Sequence, residues 1–118
     1  MPKLLIVDDE NDTREFSKSF FKKRGIDVLT ASGGRQALEM ISAENPDLVL
    51  LDVRMAEMSG IEVLRELRKT HARTKVIIVT GVEEEAVKEA GDLGVIHCIH
   101  KPLILEDLEA IVFSQLQT

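Results

Sequence analysis

The chain has no tryptophan, no tyrosine and one cysteine, Cys98, among its 118 residues. A lone cysteine cannot close an intrachain disulfide, which suits a reducing compartment. Without Tyr or Trp, and with acids where a phosphate-cradling loop would follow the first strand, a flavin-carrier reading has little support. No apolar run approaches the roughly 20 residues of a membrane-spanning helix. The opening Met1-Pro2-Lys3 passes straight into a strand-like run, with no apolar h-region and no small-residue cleavage site. No membrane association and a cytoplasmic location are expected. Lys and Arg number 15 against 21 Asp and Glu, a formal charge of −6, which argues against direct nucleic-acid binding through bulk charge. The basic clusters Lys22-Lys23-Arg24 and Arg65, Arg68, Lys69 fall at expected helix C-termini, where cations complement the helix dipole.

What is present reads as one domain over residues 1–118, without repeat, low-complexity tract or linker. At 44% hydrophobic and 31% charged residues it has the balance of a soluble globular protein. Short Val-, Ile- and Leu-rich strands are expected at Lys3–Val7, Asp27–Ala31, Asp47–Leu51, Lys75–Val79 and Ile96–Ile99. Helices are expected at Asp12–Arg24, Arg35–Ala43, Gly60–Thr70, Glu84–Leu93 and Leu105–Leu116. Strands apolar on both faces, alternating with helices, imply a parallel α/β sheet covered on both sides.

Several helix ends are marked. Asn11 is expected to cap the first helix, and Gly25 to end it. Asn45-Pro46 stops the second, and Ser59 with Glu62 has capping-box spacing for the third. The acidic run Glu83-Glu84-Glu85 stands at a helix start, where the dipole favours anions. Phe16 and Phe20, four apart, and Leu105, Leu108, Ile111 and Val112 have core-facing spacing.

Four apolar runs stop on residues suited to phosphate chemistry: Leu4–Val7 on Asp8 and Asp9, Leu48–Leu51 on Asp52, Val76–Val79 on Thr80, and Ile96–His100 on Lys101. Singly, each residue reads as well as a cap or a surface charge. Jointly, parallel strands would gather them at one sheet edge, where open α/β sheets bind ligands. Clustered carboxylates relieve their repulsion by a raised pKa or a bound cation. Oxygen ligands without a Cys or His cluster favour a hard ion such as Mg²⁺. A carboxylate can then attack phosphorus to form an acyl phosphate, with Lys101 neutralising phosphoryl oxygens and Thr80 donating to one of them.

With these residues in view, the chain resembles the receiver domain of bacterial two-component response regulators, chemotaxis-regulator-like. The resemblance rests on Ile6-Val7-Asp8-Asp9, Leu50-Leu51-Asp52-Val53-Arg54-Met55 with Met58-Ser59-Gly60, Thr80-Gly81 and Lys101-Pro102. It implies a flavodoxin-like (βα)5 three-layer sandwich with strand order 2-1-3-4-5. It implies Asp52 as phosphoacceptor from a histidine kinase, a phosphotransfer protein or a small phosphodonor. It implies Mg²⁺ held by Asp9 and Asp52, by the Arg54 main-chain carbonyl and by Asp8 mainly through water. Lys101 would pair with the phosphoryl group or with Asp52, Thr80 would move towards the phosphoryl group, and Lys101-Pro102 would be cis. Output would pass through the fourth helix, fifth strand and fifth helix to an output domain, an effector or a phosphorylation-dependent homodimer. The domain is stand-alone, as a regulator or phosphorelay intermediate, or the first part of a longer regulator.

Three departures from the family pattern bear on the switch. Cys98 takes the place of a usual aromatic, so phosphorylation is expected to shift Thr80 and its loop with a smaller change on the fifth strand. Ala56 stands where proline is frequent, so that loop is expected to be less restrained. Arg54 and Val82 occupy positions that tune phosphoryl loss, and a moderately long-lived phosphoryl group is expected. His97 and His100, three apart on a strand, point to different faces and form no metal pair. An Mg²⁺-dependent aspartyl phosphatase is the rival enzyme reading, but its second acid two residues after the nucleophile is here Arg54.

Overall fold

In the computed structural model, which describes residues 2–81 and 84–116, five strands and five helices alternate along the chain. They are β1 Lys3–Val7, α1 Asn11–Lys22, β2 Asp27–Ala31, α2 Gly34–Glu44, β3 Leu48–Asp52, α3 Gly60–Thr70, β4 Val76–Thr80, α4 Glu84–Asp92, β5 His97–His100 and α5 Leu105–Leu116. The strands form one parallel sheet in the order β2-β1-β3-β4-β5. β1 and β3 are neighbours although β2 lies between them in sequence, so the order reverses beside β1, and ligand crevices of open α/β sheets form at such reversals.

The two-residue period of the strands sends alternate side chains to opposite layers. Leu5, Val7, Val49, Leu51 and Ile78 pack with Ala37 and Ile41 of α2, Leu64 of α3 and Ala90 of α4. Leu4, Ile6, Leu50, Ile77 and Val79 pack with Phe21 of α1 and with Leu108 and Val112 of α5. Each fully buried Leu or Ile contributes about 1.5–3 kcal/mol by leaving water, so the sheet centre is the rigid base from which the loops at its carboxyl edge project.

β3, β4 and β5 each begin and end one residue later than the apolar pattern predicts. Asp52 lies opposite Val79, and Thr80 opposite His100; the backbone ladder continues beneath a polar side chain, so polarity alone does not end a strand. The cap of α1 is Glu10, not Asn11. Glu10 is extended (φ −87°, ψ 113°) and its carbonyl accepts from Arg14 N–H at 3.0 Å. Asn11 is the first helical residue, and its Oδ1 accepts from Arg14 Nη2 at 2.7 Å.

Phe16 is also corrected: it is 65% exposed, whereas Phe21 is fully buried. The inward stripe of α1 runs through Ser17 and Phe21. Phe20 lies half-buried at its margin, edge-on to Phe21 and beneath the Arg24 guanidinium, which is 3.6 Å from its ring centre.

The other helix ends agree with expectation. Gly25 takes φ +84° just past α1, and Asn45 takes φ 48° before Pro46. Ser59 Oγ accepts from Glu62 N–H at 3.2 Å, with the reciprocal contact at 3.5 Å. Arg65 pairs with Glu89 and Lys69 with Glu66, so these basic residues are structural. Arg68 donates to Leu93 O at 2.6 Å, Thr74 O at 2.8 Å and Gly94 O at 3.2 Å, tying the end of α3 to the α4–β5 turn. Burial lowers its pKa. Val82 and Glu83 lie outside the described residues. Among the described residues, no helix is long and apolar enough to cross a membrane.

Candidate functional site: an acid cluster at the sheet's carboxyl edge

The residues named from the four apolar runs meet at one edge. Asp8 follows β1, Asp52 ends β3, Thr80 ends β4 and Lys101 follows β5. Asp8, Asp9 and Asp52 each offer a carboxylate oxygen, and these atoms lie within 4.8 Å of one another. Asp8 and Asp52 are buried, Asp52 to 4% exposure, whereas Asp9 is exposed.

Protein donors hold each acid. Asp52 Oδ2 accepts from Lys101 Nζ at 3.2 Å and Asp52 Oδ1 from Arg54 N–H at 3.3 Å. Asp8 Oδ1 accepts from Glu10 N–H at 2.9 Å, while Arg14 Nη1 donates to the Asp8 carbonyl at 2.8 Å. Burial pushes the Asp8 carboxyl above its ordinary 3.8, and the charges of Asp52 and Asp9 push the same way. The Glu10 N–H and the Lys101 ammonium oppose the rise without cancelling it. The rise comes first from burial and only then from the neighbouring acids Asp52 and Asp9, and both disfavour a further negative charge at this place. The cluster therefore suits a divalent cation with oxygen ligands.

Thr80 is 1% exposed, and among the described residues its Oγ1 has no hydrogen-bond partner. An unsatisfied buried hydroxyl costs about 1–3 kcal/mol; an oxyanion delivered within its reach would satisfy it. The Lys101–Pro102 peptide is cis.

Cys98 is half-buried and packs against the α4 side of the sheet. Burial pushes its thiol up, which opposes thiolate chemistry. His97 and His100 are both exposed.

Two features escaped the sequence reading. Ala56 N–H donates to Asp9 Oδ2 at 2.9 Å, so the loop expected to be less restrained carries a tether that proline has no N–H to make. Gly60 is the second: a Cβ there would fall 2.3 Å from Asp52 O and 2.8 Å from Val53 Cα. Glycine at a helix start was a visible signal for close approach; a backbone N–H, common to every residue but proline, offers none.

Comparison with known proteins agrees with this geometry. The family model described as "Response regulator receiver domain" matches residues 4–113. Regulatory protein AtoC of Escherichia coli is 40% identical over 98% of this chain, which spans 25% of that protein. Sporulation initiation phosphotransferase F of Bacillus subtilis is 35% identical over 93% of this chain and 90% of its own length. Response regulator MprA of Mycolicibacterium vanbaalenii is 36% identical, with this chain spanning 47% of it. The crystal structure of a CheY-like response regulator receiver domain protein from Methanospirillum hungatei superposes with a TM-score of 0.94 at 28% identity, covering 99% of this chain and 94% of that one.

The chain belongs to the response regulator receiver family, signalling domains whose standard function is phosphorylation-dependent switching. It spans about a quarter to a half of some curated relatives and nearly all of another.

Proposed function

We propose that Asp52 accepts a phosphoryl group from a histidine kinase, a phosphotransfer protein or a small phosphodonor. One observation carries the reading: a buried carboxylate 3.2 Å from a lysine ammonium, in a cluster of three acids. An Asp52 oxygen attacks phosphorus, the bond from phosphorus to the donor's nitrogen or oxygen breaks, and an aspartyl phosphate forms. Lys101 neutralises the added oxygens, and Thr80 Oγ1 turns from an unpartnered group into a donor.

Asp9 and Asp52 through carboxylates, Arg54 through its main-chain carbonyl and Asp8 mainly through water are the residues that would hold Mg²⁺. Bound there, the ion supplies the positive charge that lets three acids and an incoming phosphoryl group share one site. The carboxylate oxygens of Asp8, Asp9 and Asp52 within 4.8 Å of one another support that need.

Exposed Phe16, with Pro102, Leu103 and Leu105, borders a groove of about 500 Å³ beside Lys101, open to a phosphodonor protein in the cytoplasm. Output passes through α4, β5 and α5 to an output domain, an effector or a second copy. The domain acts catalytically only on its own phosphorylation and dephosphorylation, either alone or as the first part of a longer regulator, and relatives of both lengths support both arrangements. With Cys98 in place of an aromatic, Thr80 and its loop carry the response, with a smaller change on β5. Intact mass after incubation with a small phosphodonor and Mg²⁺ tests the reading: one phosphoryl group is gained by the wild type and none by Asp52→Ala. A gain that survives the substitution contradicts it.

A further inference from the structure

The segment between β3 and α3 is a loop closed at its base. Val53 N–H donates to Val79 O at 3.0 Å, and Gly60 N–H returns to Val53 O at 2.8 Å, so both ends of the loop stand on the end of β3. Further out, Met58 packs against the start of α2, where a Cβ on Gly34 would lie 2.9 Å from Met58 Sδ. Between these holds, Ala56 N–H reaches across 47 positions of sequence to Asp9 Oδ2.

Asp9 is the member of the acid trio that burial does not orient. Asp8 and Asp52 are enclosed, whereas Asp9 is exposed, one residue further from β1. An exposed carboxylate samples several rotamers, and restricting them costs part of any binding free energy. A hydrogen bond from a fixed backbone N–H meets that cost beforehand. It engages one oxygen and leaves the other for a cation, since an ionised carboxylate has about four acceptor sites on its two oxygens.

We propose that the main chain of Ala56 is a positioning group for the cation site: its N–H holds the Asp9 carboxylate within the acid cluster, and through this bond the β3–α3 loop and the ion stabilise each other. The inference rests on the cation reading of the acids given above. The methyl group of Ala56 has no part in it; any residue with a backbone N–H serves, and proline does not. Because coupling between two binding events is reciprocal, the ion must protect the Ala56 amide as much as the amide favours the ion.

Magnesium titration by calorimetry on the wild type, Ala56→Gly and Ala56→Pro separates the N–H from the stiffness of the loop. Glycine keeps the N–H and loosens the chain; proline removes the N–H and stiffens it. Ala56→Gly is expected to bind Mg²⁺ within about twofold of the wild type, and Ala56→Pro about three- to tenfold more weakly, the loss of one charge-assisted hydrogen bond at an exposed acceptor.

Amide exchange with and without Mg²⁺ on the wild type gives a second readout, and Asp9→Ala adds a control. The Ala56 amide should exchange slowly without metal and more slowly still with Mg²⁺, and it should exchange about tenfold faster in metal-free Asp9→Ala. Equal or tighter Mg²⁺ binding by Ala56→Pro, an equal loss in Ala56→Gly, or an Ala56 amide that Mg²⁺ leaves unchanged overturns the positioning role. A wild type that binds no Mg²⁺ while its Ala56 amide stays protected overturns the cation reading itself.

Discussion

Lys101 Nζ stands 3.2 Å from Asp52 Oδ2 across 49 positions of sequence, with β4 lying between the strands that carry them. The ammonium is partly exposed and the carboxylate almost fully buried. The charge that must stay in place is therefore enclosed, and its counter-charge is free to follow an added phosphoryl group. Lys101→Ala leaves the acid cluster without this compensation. The variant is expected to bind Mg²⁺ about two- to fivefold more tightly, because a neighbouring positive charge has been removed. It should gain a phosphoryl group at least about tenfold more slowly, because the oxygens of the transferring group lose a cation. Calorimetric titration and the rate of mass gain check the two halves separately.

Thr80 Oγ1 is buried without a partner among the described residues, a penalty that on the proposed reading is relieved when Asp52 is phosphorylated. Thr80→Val, of similar shape and without the hydroxyl, is expected to stabilise the unmodified protein by about 1 kcal/mol. It should still be phosphorylated, while the chemical-shift response of Gly81 and β5 to phosphorylation collapses. A lowered thermal midpoint would show that the hydroxyl is already satisfied before phosphorylation.

Asp8 makes the metal-free protein sensitive to pH. Its carboxyl is held above 3.8 first by burial, then by Asp52 and Asp9 against the opposing Glu10 N–H and Lys101. The folded state therefore binds its proton more tightly than the unfolded chain does. Between 3.8 and the raised value the folded state holds more protons, so Asp8's contribution to stability falls as pH rises through that window and stays lowered above it. Asp8→Asn should raise the thermal midpoint in chelator at pH 7 by about 2–6 °C, the shift that roughly 1 kcal/mol produces in a domain of this size. The gain should shrink towards pH 3.5, and Mg²⁺ affinity should fall in the same variant. Calorimetric scans across pH decide it.

Gly60 sets how closely α3 rides on β3, the strand that ends on Asp52. Because a Cβ there would meet Asp52 O at 2.3 Å and Val53 Cα at 2.8 Å, only backbone displacement relieves the clash. Gly60→Ala is expected to cost about 1–3 kcal/mol and to slow phosphorylation by moving Asp52. Gly34→Ala meets side chains instead, Val63 Cγ2 at 2.6 Å and Met58 Sδ at 2.9 Å, and should cost less because those can shift. Denaturant unfolding of the two variants side by side tests the ordering.

The sheet and the gathering of the site were legible because parallel strands buried on both faces leave a strong apolar signal, and each run stops where chemistry begins. Asp8, Asp52, Thr80 and Lys101 could be named for that reason. Element ends were less legible, since backbone pairing carries β3 through Asp52 and β4 through Thr80. The Phe16–Phe20 spacing held for Phe20, which packs against the core, and failed for Phe16, which is exposed. Two helical faces a hundred degrees apart both carry phenylalanine, and it is Phe21 that is fully buried in the cluster holding Leu108 and Val112. The Ala56–Asp9 bond had no sequence signal, because its donor is not a side chain.

The measurement that bears most directly on the account is chemical trapping of the modified residue. The wild type is phosphorylated with a small phosphodonor and Mg²⁺, reduced with borohydride, digested and sequenced by mass spectrometry. Reduction of an aspartyl phosphate leaves homoserine, which is expected at position 52 alone. Homoserine at position 8 or 9, or a phosphoryl group that resists reduction because it sits on a hydroxyl or a histidine, would contradict it.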